Sequence, residues 1–214
     1  MDFGLCTQDY LERTFGLEPV FVLPDLNEWL DAALPLTDLE RAEADELREL
    51  LTLNVGHWNE QELSLHFIGP IFSLVKFTVV GKMNLFAQRS ISASVPDKDN
   101  NLILLSGHPD GLLASGFRSP SKPYFCFQEY KREKDPDGDP AGQCLAAMLA
   151  GQVLNSRPDE PMYGCYVVGQ NWYFLILTDK RYSQSPAFSA ATDEVFFILG
   201  VLKQLKALII KRLP

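Results

Sequence analysis

Histidine is scarce in this chain, cysteine nearly so, and long apolar runs are missing. The three histidines are scattered, so His57 and His66 read as a loop residue and a helix-face residue rather than as ligands. The four cysteines, Cys6, Cys126, Cys144 and Cys165, lack CxxC spacing and fall in apolar surroundings, where cysteine behaves as a small hydrophobe. A zinc site or a disulfide framework is therefore not expected, and a reducing cytoplasm fits best. No apolar run approaches the ~20 residues of a membrane span. The opening MDFGLCTQDYLERTF has no basic stretch followed by an apolar one, so no secretion signal is expected. Internal repeats, low-complexity tracts and flexible linkers are also missing. One α/β folding unit is expected, with residues 1–56 as a helical extension packed on a core of residues 57–214.

The chain has 214 residues, 46% of them hydrophobic, enough for one well-buried core. Its net charge of −9 is unevenly placed. Residues 1–62 hold fifteen acidic against three basic side chains, and the remainder thirteen against sixteen. The acidity belongs to the N-terminal helices and suits a protein partner there. The rest is mildly basic, which permits nucleic-acid binding without demanding it.

Helix signals come first along the chain. Thr7 and Gly16 bracket a short helix, Leu26, Trp29, Leu30 and Leu34 recur at helical spacing after Pro24-Asp25, and Thr37-Asp-Leu-Glu40 is a capping box. Asn59-Glu-Gln-Glu62 is a second box, opening a helix that should end near Gly69-Pro70. Residues 74–95 read as extended, and ILLSGHPDG as a buried strand running into a turn. Pro140 suits the first position of an alanine-rich helix that could lie close on a sheet. Residues 161–183 read as a hairpin, and Thr192-Asp193-Glu194 opens a last helix to about Arg212. The hairpin aromatics Tyr163, Tyr166, Trp172, Tyr173 and Phe174 read as strand packing before base stacking. Lys203, Lys206, Lys211 and Arg212 form either a phosphate-facing strip or a solvated helix face.

The chemistry concentrates between Gly107 and Gly151. Pro109-Asp110 is followed by Glu129-Tyr130-Lys131 at the end of the apolar run YFCFQ. Strand alternation sets Phe125, Phe127, Glu129 and Lys131 on one face and Tyr124, Cys126 and Gln128 on the other. A carboxylate and an ammonium thus leave one face of a strand that otherwise reads as buried. With Asp110 alongside, two carboxylates could hold a hard cation and a lysine could orient or deprotonate a water. The plainer reading is a Pro-Asp-Gly turn and a surface ion pair of little worth at Lys131.

These residues resemble the PD-(D/E)xK, or restriction-endonuclease-like, nuclease superfamily, in a bacterial branch, with Pro109-Asp110 as the PD half and Glu129-Tyr130-Lys131 as the ExK half. The matching order of helix, hairpin, ExK strand, helix and strand spans residues 59–178. The resemblance implies a mixed central sheet flanked by helices, with the helical extension in front. It further implies a nuclease dependent on Mg²⁺ or Mn²⁺ and acting on DNA. Asp110 and Glu129 would bind the metal, the Tyr130 carbonyl would add a ligand, and Lys131 would serve the attacking water. The preceding helix often supplies another acid: Glu62 is the first choice and Glu60 the second, although closing the cap could be the whole task of Glu62. Gln143 is an accessory of the exonuclease-like branch, but Ala147 stands where that branch has tyrosine, so exposed helix surface remains its alternative. A homodimer is a common way for such folds to cut two strands. Two further readings stay open: a nuclease-fold binding or adaptor protein without catalytic activity, and an α/β module in which the motif is coincidental.

Overall fold

The computed structural model describes residues 1–134 and 138–213. The cap signals act where the spacing places them. In α1 (Gln8–Phe15) the Thr7 side chain accepts the Tyr10 N–H, and Gly16 at φ +69° ends the helix. β1 (Glu18–Pro19) and α2 (Pro24–Asp31) come next, and α3 (Asp38–Asn54) carries the full Thr37–Glu40 capping box. Asn59 and Glu62 form the second box, at the start of α4 (Glu60–Leu63).

Gly69-Pro70 does not end that helix. A π turn (Ser64–Ile68) carries it into α5 (Gly69–Val75), with the Gly69 N–H reaching back to the Ser64 carbonyl. Widening the turn accommodates the N–H that Pro70 lacks. The extended region consequently starts later than expected, at β2 (Asn84–Ala87) and β3 (Ile91–Pro96). β4 (Leu102–Gly107) pairs with β3 alone, as a two-stranded ribbon outside the main sheet, and its Leu102 and Leu104 are exposed rather than buried.

The main sheet is built from β5 (Gly111–Ser115), β6 (Ser121–Lys131), β7 (Met162–Val168), β8 (Asn171–Thr178) and β9 (Arg181–Gln184). Among the described residues it has eight strands, in the order β1-β9-β8-β7-β6-β5-β2, with β10 (Phe188–Ser189) on β8. The sheet is mixed: β5 runs antiparallel to β6, whereas β6 and β7 are parallel and joined through α6 (Pro140–Asn155). Helices flank both faces. On one face α6 lies between the sheet and the β3–β4 ribbon, beside α1. On the other, α2, α3 and α5 pack around α7 (Glu194–Arg212). No helix among the described residues is long and apolar enough to cross a membrane.

The register of β6 on β5 shifts on both sides of the Ala114–Tyr124 pair. Ala114 pairs with Tyr124 and Leu113 with Cys126, so Phe125 is a bulge, and it joins Cys126 in the α7-side core instead of Phe127 in the α6-side core. Tyr163, Tyr166, Trp172 and Phe174 are buried, in line with strand packing. Of the basic strip, Lys203 pairs with Glu40 at 2.7 Å, Lys206 donates to the Val75 carbonyl, and Arg212 pairs with Glu160 at 2.6 Å. Those three cations hold the fold rather than face a phosphate.

The N-terminal segment is woven into both layers. Phe3, Cys6, Leu11 and Phe15 enter the α6-side core, and Leu26, Trp29, Ala44 and Leu51 enter the other. Gly142 opens α6 against the backbone of Cys6 and Thr7, where an added Cβ would sit 2.6 Å from each. Trp29 is fully buried, donates its indole N–H to the Val201 carbonyl at 3.0 Å and packs edge-on against Tyr163 and Phe174. Trp29→Ala should cost about 3–5 kcal/mol of stability in a single cooperative urea transition. Two separated transitions, with the main one unshifted, would show instead that the N-terminal helices fold apart from the sheet.

Candidate active site

The turn before β5 brings Asp110 to the end of β6. Extending the Gly111↔Gln128 pairing by two residues sets Pro109 opposite Tyr130. Pro109 has no N–H, and the Asp110 carboxylate takes over the ladder: the Tyr130 N–H donates to Asp110 Oδ2 at 2.8 Å. The N–H and C=O of a strand residue leave the same edge, so the Tyr130 carbonyl also faces Pro109, which has no donor to offer it. Behind this turn the Tyr130 hydroxyl donates to Gln128 Oε1 at 2.6 Å. Gly111 leaves room for that pair, since a Cβ there would lie 2.0 Å from the same oxygen.

On the α6 side of β6, Glu129 and Lys131 share a face. Lys131 Nζ lies 2.9 Å from Glu129 Oε1, with only 11% of the lysine side chain and 13% of the glutamate side chain exposed. This is a buried pair, not the surface pair of the plainer reading. Glu60, at the first turn of α4, lies 3.8 Å from Lys131. Glu62 does not join them: it is exposed, and its carboxylate accepts the Asn59 N–H at 2.9 Å as the cap requires. The glutamate of this helix that lies beside the cluster is Glu60. The spacing carried that signal, because a glutamate that closes a capping box is already engaged. Gln143 is buried rather than exposed, donates to the Gly4 carbonyl, and lines the same hollow as Glu129 and Lys131. Asp135-Pro136-Asp137, part of the charged loop expected after β6, lie outside the described residues.

Two hollows flank the cluster. One of about 460 Å³ is lined by Glu60, Gln61, Ser64, Gln88, Asp110 and Tyr130. The other, of about 280 Å³, is lined by Asp2, Phe3, His108, Glu129, Lys131 and Gln143 among others. Gln88 has a left-handed backbone (φ +49°), and its N–H donates to the Asp110 carbonyl at 3.3 Å. Nothing in the sequence marks Gln88 or Asp2, because chain folding alone brings them to the site, whereas His108 comes with its neighbour Pro109.

Burial raises the pKa of Asp110, against the opposing effects of the Tyr130 N–H, Lys131 and Gln88. Glu129 is pushed up to about 7, first by burial and then by the neighbouring Asp110 charge. Burial disfavours the Lys131 ammonium, but the hydrogen bond and charge of Glu129, with Glu60 and Asp110, outweigh it and raise its pKa. Lys131 is thus a cation, two carboxylates share it, and the cluster carries surplus negative charge.

Among the described residues no group of three or more His, Cys, Asp or Glu side chains is placed to hold a metal ion. Asp110 and Glu129 alone are a donor set of the kind Mg²⁺ accepts where water and substrate phosphate complete its shell. Their oxygen chemistry, their mutual repulsion and the ladder-free Tyr130 carbonyl fit such an ion. Neither the known protein families nor the curated proteins compared with the chain yielded a match.

A carboxyl whose pKa is raised by folding binds more protons in the native state than in the unfolded chain, so stability falls as pH rises between the two values. For Glu129 that window runs from the ordinary 4.5 to about 7. Without added metal, the protein should lose about 1–3 kcal/mol across it, and Glu129→Gln should flatten the slope. Urea unfolding at a series of pH values measures this, and an unchanged slope in the variant would place the titration elsewhere.

Proposed function

We propose that the chain is a divalent-metal-dependent nuclease acting on DNA, built on the restriction-endonuclease-like plan of the PD-(D/E)xK superfamily. The observation that carries this reading is the hydrogen bond from the Tyr130 N–H to Asp110, which sets the PD acid beside the ExK strand. The order of elements also supports it: a helix, the Asp110 turn, β6, the crossover helix α6 and the parallel strand β7.

Asp110 and Glu129, with the Tyr130 carbonyl, would hold Mg²⁺ or Mn²⁺, which supplies Lewis-acid polarisation for attack on phosphorus. Lys131 stays protonated beside Glu129 and acts as a donor, holding the attacking water or a phosphate oxygen against the charge that builds up in displacement. The Gln88 N–H holds the Asp110 backbone in its turn, and Gln143 closes the hollow on the α6 side. Attack forms a new P–O bond from water and breaks the ester P–O bond, and the proton the water loses to solvent is balanced by one the leaving oxygen gains from it, leaving one phosphate terminus and one hydroxyl terminus.

A second reading, a binding or adaptor protein on the same fold, draws on the outer face of α3. There Leu39 and Leu53 are 69% and 78% exposed among Glu43, Glu46 and Glu49, a face suited to a protein partner and unsuited to nucleic acid.

Calorimetry with Mn²⁺ at near-neutral pH separates the readings. The wild type should bind, and Asp110→Asn, which keeps an acceptor for Tyr130, should lose both binding and cleavage. Glu60→Ala should weaken Mn²⁺ binding while Glu62→Ala leaves it unchanged. Lys131→Ala should retain the metal and lose about 10²–10³-fold in cleavage rate. Full metal-dependent cleavage by Asp110→Asn would sink the nuclease assignment, and a wild type that neither binds Mn²⁺ nor cuts DNA would favour the adaptor.

A further inference from the structure

The lining of the two hollows bears on what kind of strand reaches the site. Among the described residues that line them, Lys131 is the one lysine or arginine, and it is already bonded to Glu129. Against it stand the carboxylates of Asp2, Glu60, Asp110 and Glu129. The other polar side chains on the walls include the amides of Gln61, Gln88 and Gln143 and the His108 ring.

Duplex DNA carries one charge per about 1.7 Å of its axis, and proteins that grip it neutralise several phosphates at once with lysine and arginine. This lining does not offer that. One divalent ion would compensate the charge around a single phosphodiester and leave neighbouring phosphates facing carboxylates. Side-chain amides, by contrast, hydrogen-bond to base edges. Those edges are fully available only where bases are unpaired and unstacked. The hollow of about 460 Å³ beside Asp110, with Gln61 and Gln88 on its wall, is of the size that small organic groups occupy. Depth points the same way, since the nearly buried Glu129 and Lys131 sit between the α4 start and the Asp2–Gly4 segment.

We infer that the substrate of this site is single-stranded DNA, taken one phosphodiester at a time, with an unpaired base lodged in the hollow between Gln61 and Gln88. The inference rests on the nuclease reading and narrows its substrate. It entails a weak dependence on salt, because few phosphates are neutralised on binding.

The test compares cleavage of one labelled oligonucleotide as a single strand and annealed to its complement, in Mn²⁺, over a range of salt. The single strand should be cut at least about tenfold faster. Its kcat/KM should fall less than about tenfold between about 50 and 200 mM salt, where a protein making many phosphate contacts loses about 10³–10⁵ in affinity. Gln61→Ala should raise KM for the single strand while kcat is retained. A duplex cut as fast as the single strand, or a steep loss with salt, would overturn this inference and leave the nuclease reading standing. Cleavage of neither form would overturn both. An unchanged KM in Gln61→Ala would remove the base contact from the proposal.

Discussion

Where β5 begins, its ladder to β6 meets a proline, and the candidate site is organised around that missing donor. An antiparallel pair would close with two backbone hydrogen bonds at this position. Pro109 cannot supply one of them, and the Asp110 side chain supplies the other by accepting the Tyr130 N–H. A buried N–H left without an acceptor would cost about 1–3 kcal/mol, so the carboxylate is held in place by the requirements of the sheet. The same contact fixes a second charge near Glu129, which adds to burial in raising the Glu129 pKa, while Lys131 forms a nearly solvent-free pair with that glutamate. One exchange of a backbone acceptor for a side-chain acceptor thus sets both the geometry and the electrostatics of the cluster.

Maintaining two close carboxylates requires rigid surroundings. The elements around them are tied to one another through α6, whose first turn is capped by Asp139 while the other oxygen of that carboxylate accepts the Gln8 N–H at 2.8 Å. The N-terminal segment is thereby fastened to the helix that carries Gln143, and Asp2 to Gly4 become a wall of the site. On the opposite side Glu60 and Gln61 form the other wall from the start of α4. The acidic helices α2 and α3 lie on the far layer, against α7. The acidity of the N-terminal third is therefore divided between that layer and the walls of the site, where Asp2 and Glu60 stand.

Much of this was legible in the residues, and the exceptions have definite causes. Caps were readable because Thr7, Thr37 and Asn59 act over three residues of chain. The approach of Asp110 to the end of β6 was readable as a spacing, since a turn and a returning strand bring those segments side by side. The bulge at Phe125 was not, because a bulge is decided by what the partner strand offers, and Leu113 and Ala114 carry no mark of it. Gln143 stood open between an accessory of the site and exposed helix surface, because the residues that cover it lie far away in sequence and no local pattern records them. The engagement of Lys203, Lys206 and Arg212 on α7 was hidden for the same reason: the carboxylates and carbonyls that hold them come from other elements.

The π turn before Pro70 also sets rotational phase. A single wide turn behaves as one residue added to a regular helix, which rotates the upstream turns by about 100° relative to the downstream ones. α5 is locked by Ile71, Phe72 and Val75 in the core, so the added residue determines which way α4 presents its side chains. Glu60 and Gln61 face the cluster through this offset. A homologue with one residue fewer between Leu63 and Gly69 would keep a continuous helix and the buried face of α5, yet turn its acid and amide away from Asp110, and Leu63 out of the core. Helix length, more than the identity of any residue in it, would then separate chains with this wall from chains without it.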